Sequence, residues 1–384
     1  MKKQAKVKTE YYSLVNILKM CPIAKYYVIY GERSNGKTFS VKDLILFGLH
    51  EKGVDVNGYL DDGSRGAVIR RYEEDFRGNR GKTFYDDCIV TEKEGNRLMK
   101  RTKGKWNSVR YHSGGWWLCR KNSKGEVEEE DTQAFAERFS LASGEHDKSS
   151  AHPNIKNILF DEFISRMYLV DEFVTFTNVL STIVRTKDEA RVFMCGNTIS
   201  PYSPYFREMG LTHVKKQDKG TIDVYDYSDD RLKVAVEYSD YPAKKKASDV
   251  YFAFDNPKLK MITSGEWEIA MYPHLPVRYE DKDIHYTYFI CFEGDIIQCE
   301  VIAVGDRVFT YCHKKTTPLQ TDNKNIVFQK EPDPRPNYCT RITVPKNEFV
   351  SNLYMFFLHE QVYYQDNMLG ETVRAYLQWC RESS

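Results

Sequence analysis

Tyr26-Tyr-Val-Ile-Tyr-Gly31-Glu-Arg-Ser-Asn-Gly36-Lys37-Thr38 decides the fold of this 384-residue chain. The apolar, β-prone run closed by Gly31 predicts a buried strand. From Thr38 onward Val41, Leu44, Ile45 and Leu49 recur at helical spacing, which predicts a helix that Gly53 ends. The segment between fits G-x-x-x-x-G-K-S/T in the context that pattern needs, a strand before and a helix after. Its glycines let backbone N–H groups turn onto phosphate oxygens, and the helix N-terminus adds its dipole. Gly31, Glu32, Arg33, Ser34, Asn35, Gly36, Lys37 and Thr38 are therefore assigned to a nucleotide, with ATP and Mg²⁺ as cofactors. Lys37 reaches the β- and γ-phosphates, and the Thr38 hydroxyl ligates the metal.

A second motif sits downstream. Asn157–Phe160 is apolar and ends in Asp161-Glu162, the Walker B pattern. Asp161 is expected to hold Mg²⁺ and Glu162 to polarise the attacking water. The alternative is an acidic pair at a helix start. A carboxylate pair of this kind marks the P-loop ATPases with an additional strand and a catalytic glutamate (the ASCE branch). Between the two motifs in sequence lies a further strand, Ala67–Ile69, which runs into Arg70-Arg71. Asn197 follows a fourth strand, Val192–Cys195, and is read as a γ-phosphate sensor, or else as a turn-forming Gly-Asn. Residues 170–184 read as an amphipathic helix. Gly78-Asn-Arg-Gly81-Lys82-Thr83 resembles the first motif but is two residues short and follows no buried strand, so it reads as a surface turn.

Strands alternating with helices imply a parallel central sheet. Residues 98–131 break the pattern as a hairpin-like excursion. Its stretch 100–124 carries Lys100, Arg101, Lys103, Lys105, Arg110, Arg120, Lys121 and Lys124 among Trp106, Tyr111, Trp116 and Trp117, and an acidic run at Glu126–Asp131 follows that stretch. Aromatic–cationic surfaces suit nucleic acid, although solvated hairpins are commoner. Later, Tyr286–Phe292, Ile296–Val304 and Arg307–Cys312 form a meander with turn signals between them, and 346–382 look helical. The expected organisation is an ATPase domain over 1–207, a linker over 208–250 and a smaller α+β domain over 251–384.

Lys+Arg number 56 against Asp+Glu 55, a net charge of +1 that removes any global basic excess but leaves local patches open. The nine cysteines form no CxxC and no zinc spacing, and read as reduced thiols. The start, MKKQAKVKTEYY, lacks the apolar run of a signal peptide, and no stretch reaches 18 apolar residues. No membrane partner is expected.

GERSNGKTFSVK (31–42), AVIRRY (67–72), AHPNIKNILFDEFI (151–164), VRTKDEARVFMCGN (184–197) with SPYF after it and, weakly, YYQDNMLGETVRAYLQW (363–379) resemble the DNA-encapsidation ATPases of small podoviruses, the phi29-like genome-packaging motors, which are related to large terminases. The resemblance implies an ATP-driven motor that moves viral double-stranded DNA into a preformed prohead. It implies a homo-oligomeric ring, thought to be a pentamer, at the portal, with structural RNA as a further partner. Such a motor works in the host cytoplasm, transiently attached to the prohead.

By position, the resemblance also gives Arg33 as the arginine inside the loop, Arg185 as a finger entering a neighbour's site, and Lys148 as a lysine acting in trans. From the residues alone, Arg185 reads as a cation at a helix C-terminus. The C-terminal domain is implied to be RNase H-like and to have lost its metal site, with Asp295 and Asp306 at hairpin turns. The alternatives are a large terminase with an active nuclease and a P-loop NTPase without DNA translocation.

Overall fold

The computed structural model describes residues 11–143, 152–185, 189–227, 232–241, 267, 269–320 and 324–382. The chain divides into two compact units, Met1–Trp267 and Glu268–Ser384.

The first unit is built on a sheet of ten strands. In chain order these are β1 (Tyr26–Gly31), β2 (Arg65–Arg70), β3 (Ser108–His112), β4 (Gly115–Lys121), β5 (Val127–Glu130), β6 (Ala136–Ser140), β7 (Ile155–Asp161), β8 (Arg191–Asn197), β9 (Ile222–Tyr227) and β10 (Leu232–Ser239). The order across the sheet is β9-β10-β1-β8-β7-β2-β6-β4-β3, with β5 on β4. The run from β10 to β6 is parallel throughout. Its strands are buried along almost their whole length, as a sheet covered on both faces requires. Helix α1 (Val15–Met20) precedes β1, α2 (Lys37–Phe47) follows it, and α3 (Glu172–Val184) connects β7 to β8.

Three expectations change. Helix α2 ends at Gly48, not Gly53, because Leu49–Glu51 and Val54–Val56 pair as a small antiparallel ribbon. The strand lying between the two motif strands in space is β8; β2, which lies between them in sequence, pairs on the far side of β7. The linker expected over 208–250 instead supplies β9 and β10. Strand β10 lies parallel beside β1, with Gly31 opposite Ser239, and the compact unit runs on to Trp267. Val234, Ala235 and Val236 are fully buried there, so this hairpin closes the core on the β1 side.

The excursion is a meander, β3-β4-β5. Two of its four aromatics, Trp106 and Trp116, belong to the core, while Tyr111 and Trp117 are half-buried. Trp116 is fully buried among Phe76, Phe84, Tyr85 and Tyr111, and its Nε1 donates to the Gly81 carbonyl at 2.8 Å. Trp106 is buried as well. The acidic run turns back as β5 and pairs its charges with the basic strands: Arg110 with Glu130 at 3.5 Å, and Arg120 with Glu129 at 3.2 Å. The short-motif segment at 78–83 is a surface element around a four-residue helix, Asn79–Lys82.

The second unit holds the expected meander: β11 (Ile284–Phe292), β12 (Asp295–Val304) and β13 (Arg307–Lys315). Strand β14 (Val327–Gln329) pairs parallel with β11, β15 (Tyr338–Cys339) with β14, and β16 (Val362–Tyr364) with β13. The helical stretch is two helices, α4 (Glu348–Leu358) and α5 (Asn367–Glu382), separated by β16.

Candidate nucleotide-binding site

In an open parallel sheet ligands bind at the carboxyl ends of the strands. Four strands deliver side chains to that edge: β1 ends at Gly31, β8 at Asn197, β7 at Asp161 and β2 at Arg70. Pairing aligns the ends, with Gly31 opposite Asn197 and Asp161 opposite Cys195. A cleft of about 550 Å³ opens there, lined by Arg33 to Thr38, Arg70, Asp161, Glu162 and Asn197.

The loop conformation explains its glycines. Gly36 has φ +98° and Gly31 has φ +154°, and a Cβ on Gly31 would stand 2.4 Å from Ser239 Oγ. That contact is set by β10. Asn35 Nδ2 donates to the same Ser239 Oγ at 2.9 Å, and Tyr12 N donates to the Asn35 carbonyl at 2.9 Å. The loop is thus held from the strand beside it and from the chain that precedes α1.

Lys37 is buried, and its ammonium donates to the Glu32 carbonyl at 2.6 Å, Asn35 Oδ1 at 3.1 Å, the Gly31 carbonyl at 3.4 Å and Asn197 Oδ1 at 3.5 Å. Burial lowers its pKa to about 8, against the smaller opposing pull of Cys195, Asp161 and Glu32. An ammonium whose hydrogen bonds in a desolvated loop go to neutral oxygens is primed for an anion. Thr38 Oγ1 donates to Asp161 Oδ1 at 2.7 Å, so the hydroxyl and the carboxylate that a Mg²⁺ ion would share already touch. The donor set is all oxygen, which suits Mg²⁺. With α2 starting at Lys37, the loop amides and the ammonium fit a nucleotide's phosphates, and Thr38 with Asp161 fits its metal. Glu162, next to the metal carboxylate, is exposed and lines the cleft with φ +58°, a strained conformation for a residue with a Cβ.

Gly31, Glu32, Asn35, Gly36, Lys37, Thr38, Asp161, Glu162 and Asn197 therefore come together as expected, with Arg33 and Ser34 exposed at the rim. Arg185 does not line this cleft. It is exposed at the end of α3, in the C-cap position, with φ +50°. Lys148 lies outside the described residues.

Sequence reasoning missed the arginines of β2 as site residues. Arg70 Nη2 donates to Asp161 Oδ2 at 2.5 Å. The next side chain, Arg71, points to the opposite face of the sheet, as strand alternation requires. There it makes a two-pronged pair with Glu172 of α3, 2.7 Å for each contact, and also donates to the carbonyls of Glu162 and Phe163. Tyr205 OH and the Leu169 amide complete the shell of Glu172. A signal was available: AVIRR repeats the Walker B pattern of an apolar strand that ends in charged residues.

Among the described residues no group of three or more His, Cys, Asp or Glu could hold a metal ion, and no helix is long and apolar enough to cross a membrane. Asp295 and Asp306 do lie at hairpin turns, beside Gly294 and Gly305, and Asp295 pairs with Lys314 at 2.9 Å.

Residues 124–249 match the family model of the podovirus DNA encapsidation protein (Gp16). The DNA packaging protein of Bacillus phage B103 is 33% identical over 75 residues, which are 18% of this chain and 23% of that protein. That of Bacillus phage PZA is 22% identical over 271 residues, 69% of this chain and 68% of that protein. The first of these alignments thus spans under a quarter of the relative's length. A chain of the bacteriophage phi29 viral genome packaging motor assembly shares the fold, with 16% identity, a TM-score of 0.55, and coverage of 98% of this chain and 100% of that one. So does the phi28 gp11 DNA packaging motor, with 16% identity, a TM-score of 0.51, and coverage of 97% and 99%. The family match falls on the segment carrying Asp161, Glu162 and Asn197, the relatives are phage packaging proteins, and over these stretches the chain is similar to the podovirus DNA encapsidation family.

Proposed function

We propose that this chain is the ATPase of a phage genome-packaging motor, hydrolysing ATP to drive viral double-stranded DNA into a preformed prohead. The observation that carries this reading is the cleft in which Lys37, Thr38, Asp161, Glu162 and Asn197 converge from three strand ends. ATP sits with its phosphates on the 31–38 loop. Thr38 and Asp161 would hold Mg²⁺, which would supply positive charge against the phosphates. Glu162 takes the proton of the attacking water, and Asn197 senses the γ-phosphate beside Lys37.

The motor acts as a ring of identical subunits at the portal of the prohead, inside the host cell, with a pentamer and structural RNA as the finer form of the proposal. Arg185 is the residue offered to a neighbour. Its exposure at the end of α3, away from its own cleft, supports that role. A cation brought to the transition state in trans is worth ~10³–10⁵ in rate. DNA contact is mainly to phosphates, so it is weakly sequence-dependent and salt-sensitive. The second unit is read as an RNase H-like sheet that has lost its metal site. Its meander, with β14 and β15 added parallel on the β11 side, supports this.

The test is ATP hydrolysis by the full chain with and without DNA. Stimulation that rises with oligomer formation is expected. Arg185→Ala protein alone is expected to be inactive, and mixing it with Glu162→Gln protein is expected to restore turnover. Hydrolysis at the normal rate by Arg185→Ala alone would overturn the finger, and hydrolysis by Lys37→Ala would overturn the site. Divalent-metal-dependent cleavage of plasmid DNA would favour the nuclease-active terminase instead.

A further inference from the structure

Arg70 ends β2 and Arg71 follows it, and their surroundings differ in kind. Arg71 is locked, with both prongs on Glu172 and the carboxylate's remaining contacts filled by Tyr205 and Leu169. Among the described residues Arg70 is held by one hydrogen bond. Its Nη2 meets Asp161 Oδ2 at 2.5 Å, its Nε is buried without a hydrogen-bond partner, and its guanidinium faces the Phe84 ring at 5.4 Å inside the cleft. A buried N–H left unmade costs free energy that is recovered only when an acceptor arrives.

The acid it holds is the one the metal needs. Asp161 is buried, with Oδ1 taken by Thr38 and Oδ2 by Arg70. The guanidinium thus supplies at Asp161 the positive charge that a divalent cation would otherwise bring. A carboxylate of this size cannot give its best coordination to both at once.

We propose that Arg70 is an exchangeable cation of the nucleotide site: it holds Asp161 while no divalent cation is bound, is displaced from it by Mg²⁺, and then places its guanidinium on the γ-phosphate. This rests on the ATPase reading. The pair with Asp161 keeps the empty site neutralised, and its release makes an additional phosphate ligand available only when metal and triphosphate are both present. The fork geometry of Arg suits this transfer from carboxylate to phosphate. The open Nε–H is the donor that the phosphate would satisfy.

The test uses the full chain and two fluorescent probes, a mant-labelled ADP and a mant-labelled non-hydrolysable ATP analogue, each titrated with Mg²⁺. In Arg70→Gln the Mg²⁺ concentration for half-maximal ADP binding is expected to fall about tenfold, because the competitor at Asp161 is gone. The preference for the ATP analogue over ADP is expected to fall about tenfold as well. Arg70→Lys, which keeps a charge but loses the fork, is expected to retain the wild-type Mg²⁺ requirement and to lose part of the triphosphate preference. It decides the question if the Gln variant melts at a lower temperature. An unchanged Mg²⁺ requirement, or a raised one, overturns the exchange, since a residue that merely positions Asp161 would weaken metal binding when removed. Wild-type protein that binds neither probe overturns the ATPase reading beneath the proposal instead.

Discussion

Thr38 and Asp161 stand 123 residues apart in the chain and 2.7 Å apart in the site, with the threonine hydroxyl donating to the carboxylate. Each comes from a motif that is incomplete alone. The contact fixes where a divalent cation would enter and gives the first prediction. Thr38→Ala removes one ligand and the hydrogen bond that orients the other. The Mg²⁺ needed for nucleotide binding is expected to rise by at least ~10-fold, the scale of lost metal-site support. The sign is opposite to that expected for Arg70→Gln, so the two variants titrated side by side separate a ligand from a competitor.

Glu162 lies at φ +58° next to Asp161. Removing a general base costs ~10²–10⁴ in rate, so Glu162→Gln is expected to lose turnover by that factor while still binding nucleotide. Glu162→Gly relieves the left-handed strain, which is worth ~1–2 kcal/mol before the entropy glycine loses on folding. That variant is expected to be inactive yet to melt no lower than wild type. A clear drop in Tm would mean the position is not strained.

Arg71 and Glu172 join β2 to α3 with both partners buried, 7% and 0% exposed at the side chain. Breaking a buried pair from one side leaves an uncompensated charge at ~3–5 kcal/mol. Arg71→Met is expected to lower the denaturant midpoint accordingly. Arg71→Met with Glu172→Leu is expected to recover part of the loss, because the stranded carboxylate is gone. Equal loss in the single and double variants would show that the carbonyl contacts at Glu162 and Phe163 carry the cost.

Burial lowers Lys37 from 10.5 to about 8. Between those values the unfolded chain binds more protons than the folded one, so this group's contribution makes stability rise with pH. Its destabilising effect is fully present below about pH 8. Nucleotide phosphates reverse the balance by favouring the ammonium. ATP binding near pH 8.5 is therefore expected to take up a proton, seen by calorimetry as an enthalpy that varies with the buffer's ionisation enthalpy. Lys37→Arg, which is always charged, is expected to abolish that dependence. No buffer dependence in wild type would place Lys37 fully charged beforehand.

The elements read directly from the chain are those whose signal is local. Tyr26–Gly31 and Asn157–Asp161 are contiguous buried runs, and each carries its functional residues at its own end, so strand, turn and side chain are encoded within a dozen residues. The meander at 284–315 was legible for the same reason, since adjacent strands pair across short turns. The 208–250 segment was not. Strand β10 gains its meaning from pairing with β1, about 200 residues earlier, and short apolar runs with charged neighbours do not announce that partner. The aromatics of 106–117 left two readings open for another reason. Composition cannot tell a tryptophan packed under Phe76 and Tyr85 from one offered to a base.

The sequence by itself determined that the chain carries a phosphate-loop pattern between a strand and a helix and where Lys37, Thr38, Asp161 and Glu162 fall, because each motif is a short run of fixed geometry. Tertiary structure alone decided that β8 stands between the motif strands, that Ser239 braces the loop, and that Arg70 and Arg71 serve opposite faces of one strand. Those relationships are set by which strands pair and in what register, and pairing depends on burial summed over the whole core.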